Sequence, residues 1–247
     1  MTLERLDKAI VARGLVRSRT FAHQEILSGN VMVDGRVEIK PSTAVTQDQA
    51  ITFVNPPTQF VSRSAEKLAH AITVFQPKIG GTAALDIGAS TGGFTQCLLS
   101  AGAASVMAVD VGHGQMNSSL MHDPRVTLVE GFNARNITAA SFEHTFGIIV
   151  IDVSFISLTL ILPAATNVLA SDGTMIALIK PQFEVGSEFI GKNGIVNSPL
   201  LRDKAIANVR NAAVKSGLTE MGITDSPILG GDGNKEFLIY WNRTPKE

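Results

Sequence analysis

The stretch that decides the fold reads Ala84-Leu85-Asp86-Ile87-Gly88-Ala89-Ser90-Thr91-Gly92-Gly93-Phe94. An apolar strand leads into a glycine-rich turn, and the pattern then predicts a helix from Thr95 to Ala101. Glycine in such a turn allows positive φ and lets a ligand lie against the backbone. The helix directs free N–H groups toward the same place. A second predicted strand, Ser105–Asp110, ends in a carboxylate placed to accept ribose hydroxyls. The stretch therefore predicts a nucleoside-containing cofactor at the carboxyl edge of a parallel sheet.

The residues of the turn favour one cofactor over another. A dinucleotide fingerprint needs a second glycine where this chain has Ser90, and the carboxylate of Asp86 would repel a pyrophosphate. The same carboxylate suits the positive charges of S-adenosyl-L-methionine. The residues that we expect to bind this cofactor are Asp86, Gly88, Ser90, Gly92, Gly93 and Phe94 around its methionine part, Asp110 at the ribose and Asn133 at the adenine edge. The alternative is a tight strand-to-helix turn with no ligand.

Composition limits the class of protein. The chain has 247 residues, 45% hydrophobic and 17% charged, which indicates an ordered globular protein. No apolar run approaches the roughly 18 residues that span a bilayer, and the N-terminus lacks the pattern of a signal peptide. We therefore expect a cytoplasmic protein with no membrane partner. Cys97 is the single cysteine, so the sequence predicts no intrachain disulfide and no cysteine-based metal cluster, and we assign no metal ligands. A net charge of −1 means that any contact with RNA must come from a local patch.

The first 55 residues predict a small α+β domain. Two helices, residues 3–12 and 19–27, precede a hairpin about Asp34-Gly35 and a strand at 50–54, and Ser18 is a suitable N-cap for the second helix. The segment resembles the RNA-binding domain of the fourth ribosomal protein of the small subunit, through the runs 5–7, 17–19, 28–31 and 33–35. The resemblance implies an RNA surface at the second helix. The basic residues that we expect on it are Arg5, Arg13, Arg17 and Arg19. Basic residues barely outnumber acidic ones here, so a solvated face of mixed charge is the alternative.

Residues 56–60 contain two prolines and predict a short linker. From residue 61 to 247 strands alternate with helices, which is typical of a doubly wound α/β sheet. A helix is predicted around Lys67 through Phe75. The predicted strands are Ala83–Ile87, Ser105–Asp110, Thr127–Glu130, Gly147–Asp152, Thr174–Lys180, Thr219–Ser226 and Lys235–Asn242. The last strand has no helix after it, which favours an antiparallel strand at the sheet edge. Seven strands ending in this way form the Rossmann-like arrangement of class I methyltransferases.

Four ionisable residues converge in this arrangement. Asp152 and Lys180 follow apolar strands, Glu236 stands at the entry of the last strand, and Lys67 begins a helix that can reach the same edge. This pattern resembles the Lys-Asp-Lys-Glu tetrad of FtsJ/RrmJ-type ribose 2′-O-methyltransferases. With the small N-terminal domain, the whole chain resembles the TlyA group, which is often labelled haemolysin A. The resemblance implies methyl transfer from S-adenosyl-L-methionine to a cytidine 2′-hydroxyl of ribosomal RNA, free or in ribosomal subunits.

We assign Lys180 as the group that takes or steers the hydroxyl proton, with in-line positioning as the larger contribution. An ion pair capping two strands is the structural alternative for Asp152 and Lys180.

The loop at residues 191–194, with Lys192, is either substrate-facing or structural. Glu66, next to Lys67, departs from the family pattern and leaves open an RNA-binding or assembly protein without turnover. A membrane-active protein is disfavoured by the composition. The oligomeric state has no sequence signature here.

Overall fold

A computed structural model describes residues 3–16, 18–55, 60–191 and 194–244. The chain divides into two compact units, residues 1–59 and residues 60–247. The division falls inside the segment predicted as a linker, of which residues 56–59 lie outside the described residues.

The described residues of the N-terminal unit form two helices and two small sheets. Its elements are β1 (Glu4–Arg5), α1 (Leu6–Ala12), α2 (Arg19–Leu27), β2 (Val31–Val33), β3 (Arg36–Val37), β4 (Ala44–Val45) and β5 (Ile51–Phe53). One sheet pairs β1 with β4, and the other has the order β3-β2-β5. Ser18 caps α2 as predicted, because its side chain accepts from the Phe21 N–H at 3.2 Å. The first helix begins later than expected because Glu4 and Arg5 pair with β4.

The C-terminal unit contains one seven-stranded sheet with helices around it. Its helices and strands are α3 (Ser64–Phe75), β6 (Ala83–Ile87), α4 (Gly93–Ser100), β7 (Ser105–Val109), α5 (Ser118–Met121), β8 (Val126–Val129), β9 (Phe146–Ile151), α6 (Leu162–Ala165), β10 (Leu169–Ile179), α7 (Pro181–Glu184), α8 (Pro199–Lys215), β11 (Leu218–Asp225) and β12 (Phe237–Arg243). Short 3₁₀ turns include Ala134–Asn136, Leu158–Leu160, Thr166–Val168 and Ser187–Phe189.

The sheet has the order β11-β12-β10-β9-β6-β7-β8. The neighbours from β10 through β8 pair in parallel, whereas β12 is antiparallel to both β10 and β11. The predicted Rossmann-like class and the antiparallel last strand are therefore confirmed. The predicted edge position of that last strand is wrong, because β11 covers its outer side and forms the edge itself.

Apolar side chains on both faces explain why these strands lie in the middle of the sheet. In β6, Leu85 and Ile87 belong to the buried cluster on one face of the sheet. Ala84 points to the opposite face and belongs to a second cluster. The neighbouring strand β9 divides in the same way, with Ile149 facing the first cluster and Ile148 the second. Continuous apolar runs of this kind are typical of parallel strands covered by helices on both faces. Polar residues are thereby left to the strand ends, where the site lies.

Candidate active site at the carboxyl edge of the sheet

Gly88, directly after β6, brings the ends of two neighbouring strands together. Its φ is +87°, and a Cβ at this position would lie 2.3 Å from the carbonyl oxygen of Asp152. The Gly88 N–H donates to the carbonyl oxygen of Val109 at 2.9 Å, which ties the turn to β7 as well. A side chain is excluded here by backbone atoms, so the glycine fixes how closely β6 and β9 approach at the site.

Glycine is required at the other two positions of the turn for a different reason, because a Cβ there would collide with side chains. Gly92 has φ +92°, and a Cβ there would lie 2.3 Å from Leu120 Cδ1. A Cβ on Gly93 would lie 2.2 Å from the Ser64 Oγ. Phe94 is 2% exposed and packs in the hydrophobic core. These three residues are thus held by packing against other parts of the protein, and their contact with a cofactor stays a prediction.

Asp86, expected at the cofactor, is fully buried at the end of β6. Its Oδ2 accepts from the Thr95 hydroxyl at 2.7 Å, and its Oδ1 has no hydrogen-bond partner among the described residues. Burial raises the pKa of Asp86 to about 7, although the Thr95 hydrogen bond opposes the shift. The carboxyl group therefore lies behind the turn, at the start of α4, and not in the wall of the cavity described below.

Asp110 and Ser90 form a polar corner beside the turn. The two carboxylate oxygens of Asp110 accept from the backbone N–H groups of Ser90 and Gly112, each at 2.7 Å. Ser90 has φ +46°, a left-handed conformation that is uncommon for a residue with a side chain. Its hydroxyl donates to Gln115 Oε1 at 2.9 Å. Asp110 is thereby fixed with its remaining lone pairs available to hydroxyl donors.

A cavity of about 320 Å³ opens at this corner. Its wall combines polar groups with aliphatic and aromatic side chains, as small-molecule sites do. The residues that line it include Gly88, Ser90, Asp110, Phe132, Asn133, Asp152 and Phe155. Four of the eight residues expected at a cofactor thus line the cavity: Gly88, Ser90, Asp110 and Asn133.

Lys180 follows β10 and pairs with a carboxylate from the neighbouring strand. Its Nζ lies 2.7 Å from Asp152 Oδ1 and donates to the Ser154 hydroxyl at 2.8 Å. The lysine and aspartate side chains are 12% and 14% exposed. The ammonium group is therefore held from two sides at the mouth of the cavity that Asp152 lines.

Lys67, in the first turn of α3, pairs with Glu236 at the entry of β12. The Nζ–Oε2 distance is 2.5 Å, and the two side chains are 10% and 2% exposed. Gly230 closes over this carboxylate, since a Cβ there would lie 2.4 Å from Glu236 Oε1. A pair as buried as this one cannot lose one partner without leaving an uncompensated charge.

The strand register brings the two pairs to the same edge. Ile179 and Phe237 are paired residues of antiparallel strands, so Lys180 and Glu236 each lie one step beyond that pair on the same side. The four residues predicted to converge therefore form two lysine–carboxylate pairs at neighbouring strand ends. Their catalytic roles stay a prediction.

The FtsJ-like methyltransferase family matches residues 60–243, and the S4 domain family matches residues 4–51. The 16S/23S rRNA (cytidine-2′-O)-methyltransferase TlyA of Mycobacterium tuberculosis is 43% identical over 241 residues, which cover 97% of this chain and 90% of that protein. Hemolysin A of Brachyspira hyodysenteriae is 40% identical over 238 residues, covering 96% of this chain and 99% of that protein. A solved structure from Streptococcus thermophilus that carries a hemolysin name has a TM-score of 0.78 and 39% identity, over 99% of this chain and 90% of that one.

The chain belongs to the TlyA group of FtsJ-like methyltransferases. The family resemblance drawn from the tetrad and the N-terminal domain is thereby confirmed.

In the S4 unit of this methyltransferase, three of the arginines expected to bind RNA make hydrogen bonds to other residues of the same unit. Arg5 and Arg19 both donate to the buried carboxylate of Asp7 at 3.0 Å. The hydrogen bond from Arg5 lowers the pKa of Asp7 to about 2, and Arg19 acts in the same direction. Arg13 donates to the carbonyl oxygens of Thr46 and Gln49, each at 2.7 Å.

These contacts fix the positions of the three arginines, and their role in RNA binding stays a prediction. The side chains of Arg5 and Arg19 remain 44% and 56% exposed, so their outer edges can still meet phosphate oxygens. Arg17 and Lys192, also expected at RNA, lie outside the described residues.

Sequence reasoning gave no role to three residues that the fold brings to the site. Ser154 accepts from Lys180, as described above. Phe155 is 91% exposed with φ +62°, and its ring centroid lies 5.2 Å from that of Phe183. Glu184 Oε1 accepts from the Leu158 N–H at 2.8 Å. All three lie in runs already notable for Asp152 and Lys180, but nothing in their spacing distinguishes them.

The described part of the chain brings together no group of three or more His, Cys, Asp or Glu side chains that could hold a metal ion. Within the described ranges, no helix combines the length and apolar character that a bilayer crossing requires.

Proposed function

We propose that this chain is an S-adenosyl-L-methionine-dependent methyltransferase that modifies a cytidine 2′-hydroxyl of ribosomal RNA. Membership of the methyltransferase family supports the reaction type, and the name of the Mycobacterium tuberculosis relative supports the substrate. The observation that carries the proposal is the pair of lysine–carboxylate contacts at the sheet edge beside the cavity.

The cavity fits the nucleoside part of this cofactor. Asp110 is held rigidly by two backbone N–H groups and can accept both ribose hydroxyls. Asn133 uses its Oδ1 to accept from the Arg135 N–H at 3.1 Å, so its amide nitrogen is the group that can donate to an adenine edge. Phe132 supplies apolar wall for the ring. When bound, the cofactor supplies a methyl group on a sulfonium centre.

The residues of the sheet edge would hold and deprotonate the ribose hydroxyl. The reaction forms a bond between the 2′-oxygen and the methyl carbon, breaks the carbon–sulfur bond, and releases the hydroxyl proton. Lys180 Nζ is directed by Asp152 and Ser154, so it can hold the 2′-oxygen in one position and take or steer its proton. The pair Lys67–Glu236 lies one strand away and would hold the other side of the ribose site.

RNA binding is supported by two features of the described residues. The S4 domain match covers the N-terminal unit, whose exposed arginines suit phosphate oxygens. In the catalytic unit, the exposed ring of Phe155 at the cavity rim is suited to stack on a base. Its left-handed backbone costs about 1–3 kcal/mol and persists only where the surroundings enforce it.

The test is transfer of labelled methyl groups from S-adenosyl-L-methionine to ribosomal subunits that lack the modification. The wild-type chain is compared with Lys180→Ala and with Lys215→Ala. Lys215 is an exposed lysine at the end of α8, just before β11 begins. It therefore lies at the amino ends of the parallel strands, opposite the edge that carries the site. We expect label in an alkali-resistant dinucleotide with the wild type and Lys215→Ala, and its loss with Lys180→Ala.

Each other outcome has a definite meaning. Label in RNA with all three chains would leave the reaction standing and remove Lys180 from its role. Label in alkali-sensitive nucleotides would mean methylation of a base. No label with any chain, despite measurable binding of cofactor and RNA, would favour an RNA-binding or assembly protein.

A further inference from the structure

The loop between β9 and the turn Leu158–Leu160 carries much of the site. It begins with Asp152, continues with Ser154, which accepts from Lys180 at 2.8 Å, and reaches Phe155 at the cavity rim. Phe155 is both strained, with φ +62°, and 91% exposed, so its own packing does not hold the loop in place. A contact from another part of the chain must therefore hold Asp152 and Ser154 in position.

Glu184 provides that connection. Its Oε1 accepts from the Leu158 N–H at 2.8 Å, and its Oε2 accepts from the Ser157 hydroxyl at 2.5 Å. The carboxylate is partly buried in α7, the one-turn helix that directly follows Lys180. Its backbone carbonyl also accepts from Asn208 of α8 at 3.4 Å, which anchors α7 from behind.

One carboxylate thus joins the exits of two neighbouring strands. The loop after β9 supplies Asp152 and Ser154, and the residue after β10 is Lys180, so Glu184 fixes the two halves of one ion-pair cluster relative to each other. A displacement of about 1 Å in such a cluster can cost about 100-fold in rate.

We propose that Glu184 is a positioning residue for methyl transfer, acting through Ser154 and Asp152 on Lys180. The inference rests on the proposed function. Glu184 is absent from the lining of the cavity, so it acts on the reacting atoms only through the loop that it holds.

The experiment measures methyl transfer at saturating cofactor and RNA for Glu184→Ala, Glu184→Gln and the control Glu188→Ala, a nearby exposed glutamate. We expect Glu184→Ala to lower kcat about 10- to 100-fold. Glu184→Gln should retain most activity, because its amide oxygen still accepts from the Leu158 N–H and its amide nitrogen can donate to Ser157. Glu188→Ala should match the wild type.

A double variant separates positioning from a general loss of stability. If Glu184 acts through Ser154, then Glu184→Ala combined with Ser154→Ala should be no more than about 3-fold slower than Glu184→Ala alone, because coupled residues are not additive. Multiplying effects, or a Glu184→Ala variant as active as Glu188→Ala, would overturn the inference while the proposed function stands. Should Glu184→Ala not fold, Glu184→Asp, whose shorter side chain cannot reach both partners, replaces it. A wild-type chain without methyl transfer would overturn the proposed function and this inference together.

Discussion

Gly88→Ala is the substitution for which the structure predicts the sharpest effect. The new Cβ would lie 2.3 Å from the carbonyl oxygen of Asp152 and 2.9 Å from its carbonyl carbon, and both are backbone atoms of the residue that directly follows the central strand β9. The residue also has φ +87°, which a side chain rarely adopts. Relief requires the end of β6 to move away from the end of β9.

The magnitude has two parts. A left-handed conformation costs alanine about 1–2 kcal/mol. Overpacking against a rigid neighbour adds about 1–3 kcal/mol, for a total loss of about 2–5 kcal/mol in the free energy of unfolding. The displacement also moves Asp152 away from Lys180, now 2.7 Å apart, so we expect methyl transfer to fall about 100-fold.

Gly81→Ala is the matched control. Gly81 lies in the turn before β6 with φ +74°, and a Cβ there meets nothing within 4 Å. It therefore carries the left-handed penalty without the collision. In thermal unfolding, the midpoint of Gly88→Ala should lie about 2–12 °C below that of Gly81→Ala, since about 1–3 kcal/mol separates them.

Two variants that unfold at the same temperature and transfer methyl groups at the same rate would refute the predicted collision between β6 and β9. Equal stability with activity lost only in Gly88→Ala would mean that the turn yields easily and that the side chain obstructs the cofactor instead.

Three further predictions concern ionised groups. The depressed pKa of Asp7 means that its ion pairs stabilise the S4 unit above pH about 4, and that this contribution, about 1 kcal/mol after solvent screening, is lost as the pH falls toward 2. Asp7→Asn should abolish that part of the pH dependence of thermal unfolding, and an unchanged profile would contradict it. Lys67→Met and Glu236→Gln should each cost about 3–5 kcal/mol in denaturant unfolding, and the double variant less than their sum. Strictly additive losses would mean that the pair is not coupled. Asp110→Ala should weaken cofactor binding at least ~10-fold in calorimetry, because charged hydrogen bonds to the ribose are lost. An unchanged Kd would place the ribose elsewhere.

The sequence alone determined the fold class, because apolar periodicity and turn chemistry act locally. The strand Ala83–Ile87 and the helix Arg19–Leu27 have the bounds that their patterns predicted. The cap of that helix is equally local, because Ser18 accepts from the N–H of Phe21, three residues along the chain. Polar residues at strand ends were also visible, since parallel strands must leave the core at one edge. The shared edge of Asp152, Lys180 and Glu236 and the position of Asp110 followed from that rule, whereas Lys67 was placed by the helix that it begins.

Only the tertiary structure decided what those residues contact. Spacing showed four convergent charges, but the pairing of Lys67 with Glu236 across 169 residues depends on how α3 packs beside β12. Likewise the sequence could not show which neighbour each glycine makes room for. Gly88 leaves space for backbone atoms at the end of the neighbouring strand, whereas Gly93 leaves space for the side chain of Ser64. The sequence also could not show that the Asp86 carboxylate is buried behind the turn, and its contact with a cofactor stays a prediction. The physical reason is common to all of these: local pattern fixes which element a residue ends, whereas contacts between elements distant in sequence arise only when the sheet is assembled.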